Sequence, residues 1–183
     1  MATPLNTPYA TLSFQSLFQP SNQFNEPQAH YEATFLFDPA QQKSPAYKAL
    51  QDAVIAVAKE KFPSTPLKSL KMPFKDAGAN AGKYDGFNVG DTSIKARSTK
   101  KPGVVDARLQ EILLPDEVWS GQLVRANVTP FAYDKNGVKG VSFALNHVQI
   151  IKSDRPRLDG RASASSAFDD GAVTEADTDE SPF

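Results

Sequence analysis

Two alternating runs open the chain. Leu12, Phe14 and Ser16 alternate with Ser13, Gln15 and Leu17 until Pro20-Ser21-Asn22 breaks the run, and Tyr31, Ala33, Phe35 and Phe37 share one parity up to Asp38-Pro39. A period of two bounded by turn residues predicts two half-buried strands, because successive strand side chains point to opposite faces. The period then lengthens. Ser44-Pro45 supplies an N-cap followed by proline at the first helical position, and Tyr47, Leu50, Val54, Val57, Ala58 and Lys61 repeat at helical spacing until Phe62-Pro63. Proline lacks the donor and clashes with the preceding turn, so the pattern predicts one helix that stops there.

Periodicity lapses between Ser64 and Asp91, where Pro66, Pro73, Gly78, Gly82, Gly86 and Gly90 predict a long irregular excursion. Alternation resumes with Thr92, Ile94 and Ala96 against Ser93, Lys95 and Arg97, and again with Gln122, Val124, Ala126 and Val128 against Leu123, Arg125 and Asn127. Each run has one apolar face and one polar, partly basic face. Asn136-Gly137 lies within Tyr133–Val138, and both residues accept positive φ, which predicts a hairpin with Val141 to Ile151 as the returning strand. About five strands, one helix and long connections suit a mainly β (α+β) domain, an oligonucleotide-binding (OB) type five-stranded Greek-key barrel. The pattern alone also fits other α+β sheets. From Ala162 the chain turns to Ser, Ala, Gly, Asp and Glu, which predicts a folded domain over residues 1–161 and a disordered acidic tail over 162–183.

Composition narrows the classes. The chain has 183 residues, 40% hydrophobic, enough for one domain with a real core, and no cysteine, which excludes disulfides, thiolate nucleophiles, iron-sulfur clusters and cysteine zinc sites. The longest apolar run, Ala53 to Ala58, is far short of the ~20 residues that span a bilayer, and Met1-Ala2-Thr3-Pro4 opens no signal segment, so a cytoplasmic protein without a membrane partner is expected. The net charge of −1 conceals an asymmetry: residues 169–183 hold six acids and no Lys or Arg, whereas residues 43–161 hold all twenty Lys and Arg against twelve Asp and Glu. A basic body with an acidic end points to a polyanion partner.

Motifs for chemistry are weak. Gly78-Ala79-Asn80-Ala81-Gly82-Lys83 has three residues between its glycines and Tyr84 after the lysine, where a phosphate loop has four and then Ser or Thr. His30 and His147 stand in separate strand patterns. Asp76, Asp85, Asp91, Asp106, Glu111, Asp116 and Glu117 have no spacing that defines a two-metal nuclease site, and the default for such acids is solvated loop charge. Basic and aromatic residues interleave instead: Lys68, Lys71, Phe74, Lys75, Lys83, Tyr84 and Phe87 in the excursion, then Lys95, Arg97, Lys100 and Lys101, then Trp119 and Arg125, assigned to one parity of a later strand. Single-stranded nucleic acid asks for this pairing, because cations track phosphates and rings stack on bases for ~1–3 kcal/mol each. Core packing is the alternative for each ring taken singly.

Pro73-Phe74-Lys75-Asp76, Lys83-Tyr84-Asp85-Gly86-Phe87, Lys101-Pro102-Gly103-Val104-Val105-Asp106, Val118-Trp119-Ser120-Gly121, Val124–Val128, the long Gly137–Gln149 stretch and Arg157–Arg161 together resemble a family of tailed-phage single-stranded DNA-binding proteins, once known only as a domain of unknown function. The resemblance covers most of the chain from the helix to the tail. It implies an OB fold, cooperative or at least stoichiometric coating of single-stranded DNA in phage replication, recombination and repair within the host cytoplasm, no cofactor and no catalysis. The expected DNA-binding set is Lys71, Phe74, Lys75, Lys83, Tyr84, Phe87, Lys95, Arg97, Lys100, Lys101, Trp119 and Arg125. The ending is similar to the acidic tips of bacterial and phage single-strand-binding proteins, which implies that Asp177, Asp179, Glu180, Pro182 and Phe183 recruit replication or recombination proteins. A terminal ring and carboxylate suit a hydrophobic pocket rimmed by cations. A metal-dependent nuclease and a phage structural or assembly protein are the rival readings, and homo-oligomerisation is left open.

Overall fold

The computed structural model describes residues 2–22 and 26–158. In chain order it has β1 (Leu5–Asn6), β2 (Ala10–Ser21), β3 (His30–Phe37), α1 (Pro39–Gln42), α2 (Pro45–Lys61), β4 (Lys75–Asp76), β5 (Thr92–Ser98), β6 (Gly103–Val105), β7 (Leu123–Lys135) and β8 (Val138–Lys152). Five long strands close a barrel in the order β2-β3-β5-β8-β7 and back to β2, all antiparallel except β5 with β8. This is the OB strand order expected from the sequence. The short strands β1, β4 and β6 add to the edges of β7, β5 and β8, making eight strands among the described residues instead of five. Two or three residues are too few to register a period.

Inward parity fills the barrel. Leu12, Phe35, Phe37, Ile94, Val124, Val128 and Phe143 are at most 1% exposed and form one core with Tyr47, Leu50, Val54 and Ala58 of α2. Ser44 caps α2 by accepting from the Tyr47 backbone N–H, and Pro45 opens it, as the sequence predicts. Burial raises the pKa of the Tyr47 phenol, and its hydroxyl is matched by Thr92 Oγ1 at 2.8 Å. The additional helix α1 follows from Asp38 and Gln41, which form a capping box over four residues. Asn136 and Gly137 make the hairpin turn with φ of 53° and 81°. Gly140 opposes Tyr133 in that hairpin, and a Cβ there would lie 2.6 Å from the Tyr133 hydroxyl and from the Lys71 carbonyl oxygen.

Two placements differ from the sequence reading. Phe14 does not join Leu12 in the core: the β2–β3 register shifts between Ser13 and Ser16, Phe14 takes φ 42°, and its ring is 53% exposed. A bulge re-aims a side chain that strict alternation would bury. Trp119 is not on a strand, since β7 begins at Leu123, so parity with Arg125 has no meaning for it.

Candidate nucleic-acid interface

Alternation on β3 and β5 turns a second set of side chains away from the core, and the register fixes them as three rungs: Leu36 beside Ser93, Thr34 beside Lys95, and Glu32 beside Arg97. From Leu36 to His30 the face runs roughly 20 Å at the usual strand rise. In barrels of this strand order the second and third strands, with the loops flanking them, form the oligonucleotide face.

The excursion folds over the Leu36 end, where Phe87 and Ala77 bury against Leu36 in a small second core. Tyr84 stands beside it, 39% exposed, meeting the Phe14 ring edge-on at 5.1 Å, with the Lys83 ammonium 5.1 Å from the Tyr84 centroid. Phe87 lies 5.9 Å from Phe14 and 5.7 Å from Tyr84, so the exposed pair rests on a buried ring. Phe14, Lys83, Tyr84 and Asp85 line a recess of about 310 Å³. A phenylalanine in the left-handed region costs roughly 1–2 kcal/mol, and such outliers gather where a side chain must be presented.

Past Arg97, at the other end, a groove of about 600 Å³ opens between β3, β5 and the β7–β8 hairpin. Its lining includes His30, Arg97, Phe131, Tyr133, Lys135 and Asn146, and the Phe131 ring is 44% exposed. Asn146 is held by donating to Asn127 Oδ1 and Thr129 Oγ1, each at 2.9 Å.

Between the two ends the charges are already paired. Glu32 is 5% exposed, with Lys95 Nζ at 2.9 Å and Arg97 Nε at 3.1 Å from its two oxygens, the Nε–H being misaligned for a hydrogen bond. Both terminal nitrogens of Arg97 fork onto Glu26 at 2.9 and 3.5 Å, and His30 Nδ1 lies 3.2 Å from Glu26. The Arg97 hydrogen bond holds the Glu26 carboxyl below its ordinary value of 4.5 against the opposing effect of desolvation. Lys95 and Arg97 thus leave the apolar face as expected, but they are not free cations: the sequence reading missed Glu26 and Glu32 as their partners.

Of the other expected residues, the structure gathers Lys83, Tyr84 and Phe87 at one end. Lys75 is exposed on β4 beside Ser93, and Lys100 and Lys101 are exposed just beyond β5, with Lys101 Nζ 5.5 Å from the Phe18 ring centroid. Phe74 is a half-buried ring packed against the core, on Tyr47 and Phe143 at 5.5 and 6.0 Å, away from the β3–β5 face. Lys71 bridges Gly140 on β8. Arg125 lies on the β7–β8 side of the barrel, donating to Gln149 Oε1 at 2.7 Å, apart from the β3–β5 face. Trp119 sits in the loop before β7, its indole donating to the Arg155 carbonyl at 3.3 Å under the Arg157 guanidinium, one residue from Ser120 at the rim of the Phe14 recess. The tail residues Asp177, Asp179, Glu180, Pro182 and Phe183 lie outside the described residues.

The central acids do not gather. Asp76 and Asp106 accept backbone N–H groups within their own turns, Asp91 accepts from Asn88, and among the described residues no three His, Asp or Glu side chains are placed to hold a metal ion. Nor, among those residues, is any helix long and apolar enough to cross a membrane. Phe14, Phe131, Tyr133, Lys135 and His30 were not among the DNA-binding residues expected from the sequence. The hairpin set had a readable signal, since Thr129, Phe131, Tyr133 and Lys135 share a parity opposite to Val128.

The family model described as "Enterobacter phage Enc34, ssDNA-binding protein" matches residues 3–180. The chain belongs to this family. Its fold is similar to the single-stranded DNA-binding protein of bacteriophage Enc34 in complex with ssDNA, with a TM-score of 0.71 and 18% identity over 84% of this chain and 88% of that one. The same Enc34 protein in a second structure gives a TM-score of 0.69 and 18% identity over 91% and 90%. The single-stranded DNA binding protein gp2.5 of bacteriophage T7 gives 0.59 and 17% over 87% and 97%. Among curated proteins no sequence matches. Against solved structures of such low identity it is the fold that is shared, and the family match extends the sequence resemblance through the first strands as well.

Proposed function

We propose that the chain binds single-stranded DNA without strong sequence preference and coats it during phage DNA replication, recombination and repair. One observation carries this reading: the β3–β5 face of an OB barrel in a single-stranded DNA-binding family has rings at both ends, exposed Phe14 and Tyr84 at one and exposed Phe131 beside half-buried Tyr133 at the other, and basic side chains between and beside them. Bases stack on the rings, while Lys83, Lys95, Arg97, Lys135, Lys75, Lys100 and Lys101 follow the phosphates. Binding is expected to favour single strands over duplex, since stacking needs unpaired bases. Log affinity should fall with log salt by about 0.7 per contacted phosphate. Titration of equal-length single-stranded and duplex oligonucleotides at two salt concentrations tests both expectations, and equal affinity for the two forms would reject the reading.

Glu26 holds Arg97 as a phosphate would, through two carboxylate oxygens on a guanidinium fork. Glu26→Gln should therefore raise affinity at low salt about two- to fivefold, the scale of a part-exposed ion pair, and steepen the salt dependence by about 0.7. An unchanged slope would mean that Arg97 stays with Glu32 when DNA binds.

The acidic tail recruits replication or recombination proteins and competes with phosphates for the basic body. A tethered segment acts at an effective concentration of order millimolar, so deleting residues 169–183 should raise affinity for single strands, most clearly at low salt. Phe183→Ala removes no charge and should leave DNA affinity unchanged while losing partner binding. Identical low-salt affinity in the deletion would eliminate the competition.

A further inference from the structure

Two apolar features outside the β3–β5 face, a segment with three exposed leucines and a groove against α2, lie on stretches of opposite net charge. Leu109, Leu113 and Leu114 are 71%, 67% and 62% exposed on the segment between β6 and β7. Residues 106–117 carry four acids and a single Arg108. This segment is held in place, because Asp106 accepts from the Arg108 and Gln110 backbone N–H groups, Ile112 N–H donates to the Val104 carbonyl at 2.8 Å, and Glu111 bridges Val105. The leucines are thus displayed on a fixed turn, with Leu109 itself at φ 65°. Exposed apolar patches on an ordered support mark interaction surfaces.

Val54 and Ile55 of α2, with Leu67, Met72 and Phe74 from the segment after it, line a groove of about 560 Å³ whose rim carries Lys43 and the Lys48–Asp52 ion pair at 2.9 Å. Residues 43–75 hold seven lysines against Asp52 and Glu60. The groove does not meet the leucines of its own chain. Lys71, which adjoins the groove through Met72, bridges Gly140, whereas Val105 beside the leucine segment pairs with Gln149, nine residues along β8 and roughly 30 Å away at the strand rise. We infer that the acidic leucine segment of one copy docks in the basic α2 groove of a second copy. Two different surfaces meet in such a contact, so it repeats head to tail without closing on itself unless the rotation forms a ring. Its consequence for DNA, cooperative coating of long strands, rests on the function proposed above; the association itself does not.

The test uses the full chain without DNA. Sedimentation velocity across a hundredfold concentration range should show growth beyond a dimer. Leu113→Asp with Leu114→Asp, and separately Lys43→Glu with Lys48→Glu, should each give monomers; all four side chains are exposed, and melting temperatures check that the folds are intact. Mixing the two variants should restore a heterodimer that grows no further, because each supplies the one surface the other lacks. A monomer at every wild-type concentration, or no heterodimer in the mixture, would overturn the inference, and so would growth of either variant alone to the wild-type size. If the association holds, wild type should bind long single strands at least tenfold more tightly per site than a one-site oligonucleotide, with the difference lost in both variants. Failure of DNA binding with association intact would instead count against the DNA reading.

Discussion

Replacing Lys95 and Arg97 together by alanine is expected to destabilise the domain by about 3 kcal/mol, the scale for stranding a buried charge without its partner. Both cations serve Glu32, which is 5% exposed in the middle of the β3–β5 face. Removing them leaves its carboxylate desolvated and unpaired, so the loss exceeds that of two surface ion pairs. Adding Glu32→Gln to the double variant removes the stranded charge and should recover most of the stability. Urea unfolding midpoints of the double and triple variants decide this, and a double variant as stable as wild type would show that Glu32 is solvated by other means. The triple variant also isolates the role of the cations in DNA binding, because it should remain folded while its salt dependence falls by about 1.4, two phosphate contacts.

The second large effect concerns the rings. Phe14→Ala and Tyr84→Ala should each weaken single-stranded DNA binding between about fivefold and about 150-fold, since a base stacked on an aromatic side chain is worth ~1–3 kcal/mol. Neither ring is deeply buried, so the fold should survive. Phe14→Gly separates display from stability. Glycine adopts φ 42° freely, so this variant should be about 1 kcal/mol more stable than Phe14→Ala while binding DNA as weakly. Equal affinity of Phe14→Ala and wild type would return Phe14 to a local packing role against Tyr84 and Phe87.

The barrel was legible because its five strands each satisfy a local rule. Tyr31, Ala33, Phe35 and Phe37 share one parity, Ser44-Pro45 starts α2, and Asn136-Gly137 turns the hairpin without help from distant residues. The site was legible only in part because it depends on departures from those rules and on contacts across the fold. The bulge that exposes Phe14 breaks the alternation that gives it the same parity as Leu12. Phe74 belongs to the same basic and aromatic run as Tyr84, yet it packs on Phe143, a residue 69 positions away, and nothing in the run distinguishes a ring that meets the barrel from one that meets solvent. Lys95 and Arg97 show the same limit for charge. Their outward parity follows from the period of two, but their pairing with Glu32 follows from a β3–β5 register that no local pattern contains.

The most direct test of the central claim is where DNA touches the protein. Photocrosslinking of the full chain to a bromodeoxyuridine-substituted single strand, followed by peptide mapping, should place the adducts on Phe14 or Tyr84 at one end of the face and on Phe131 or Tyr133 at the other. Adducts confined to α2 or to the Leu109–Leu114 segment would contradict the account, because those surfaces lie off the β3–β5 face.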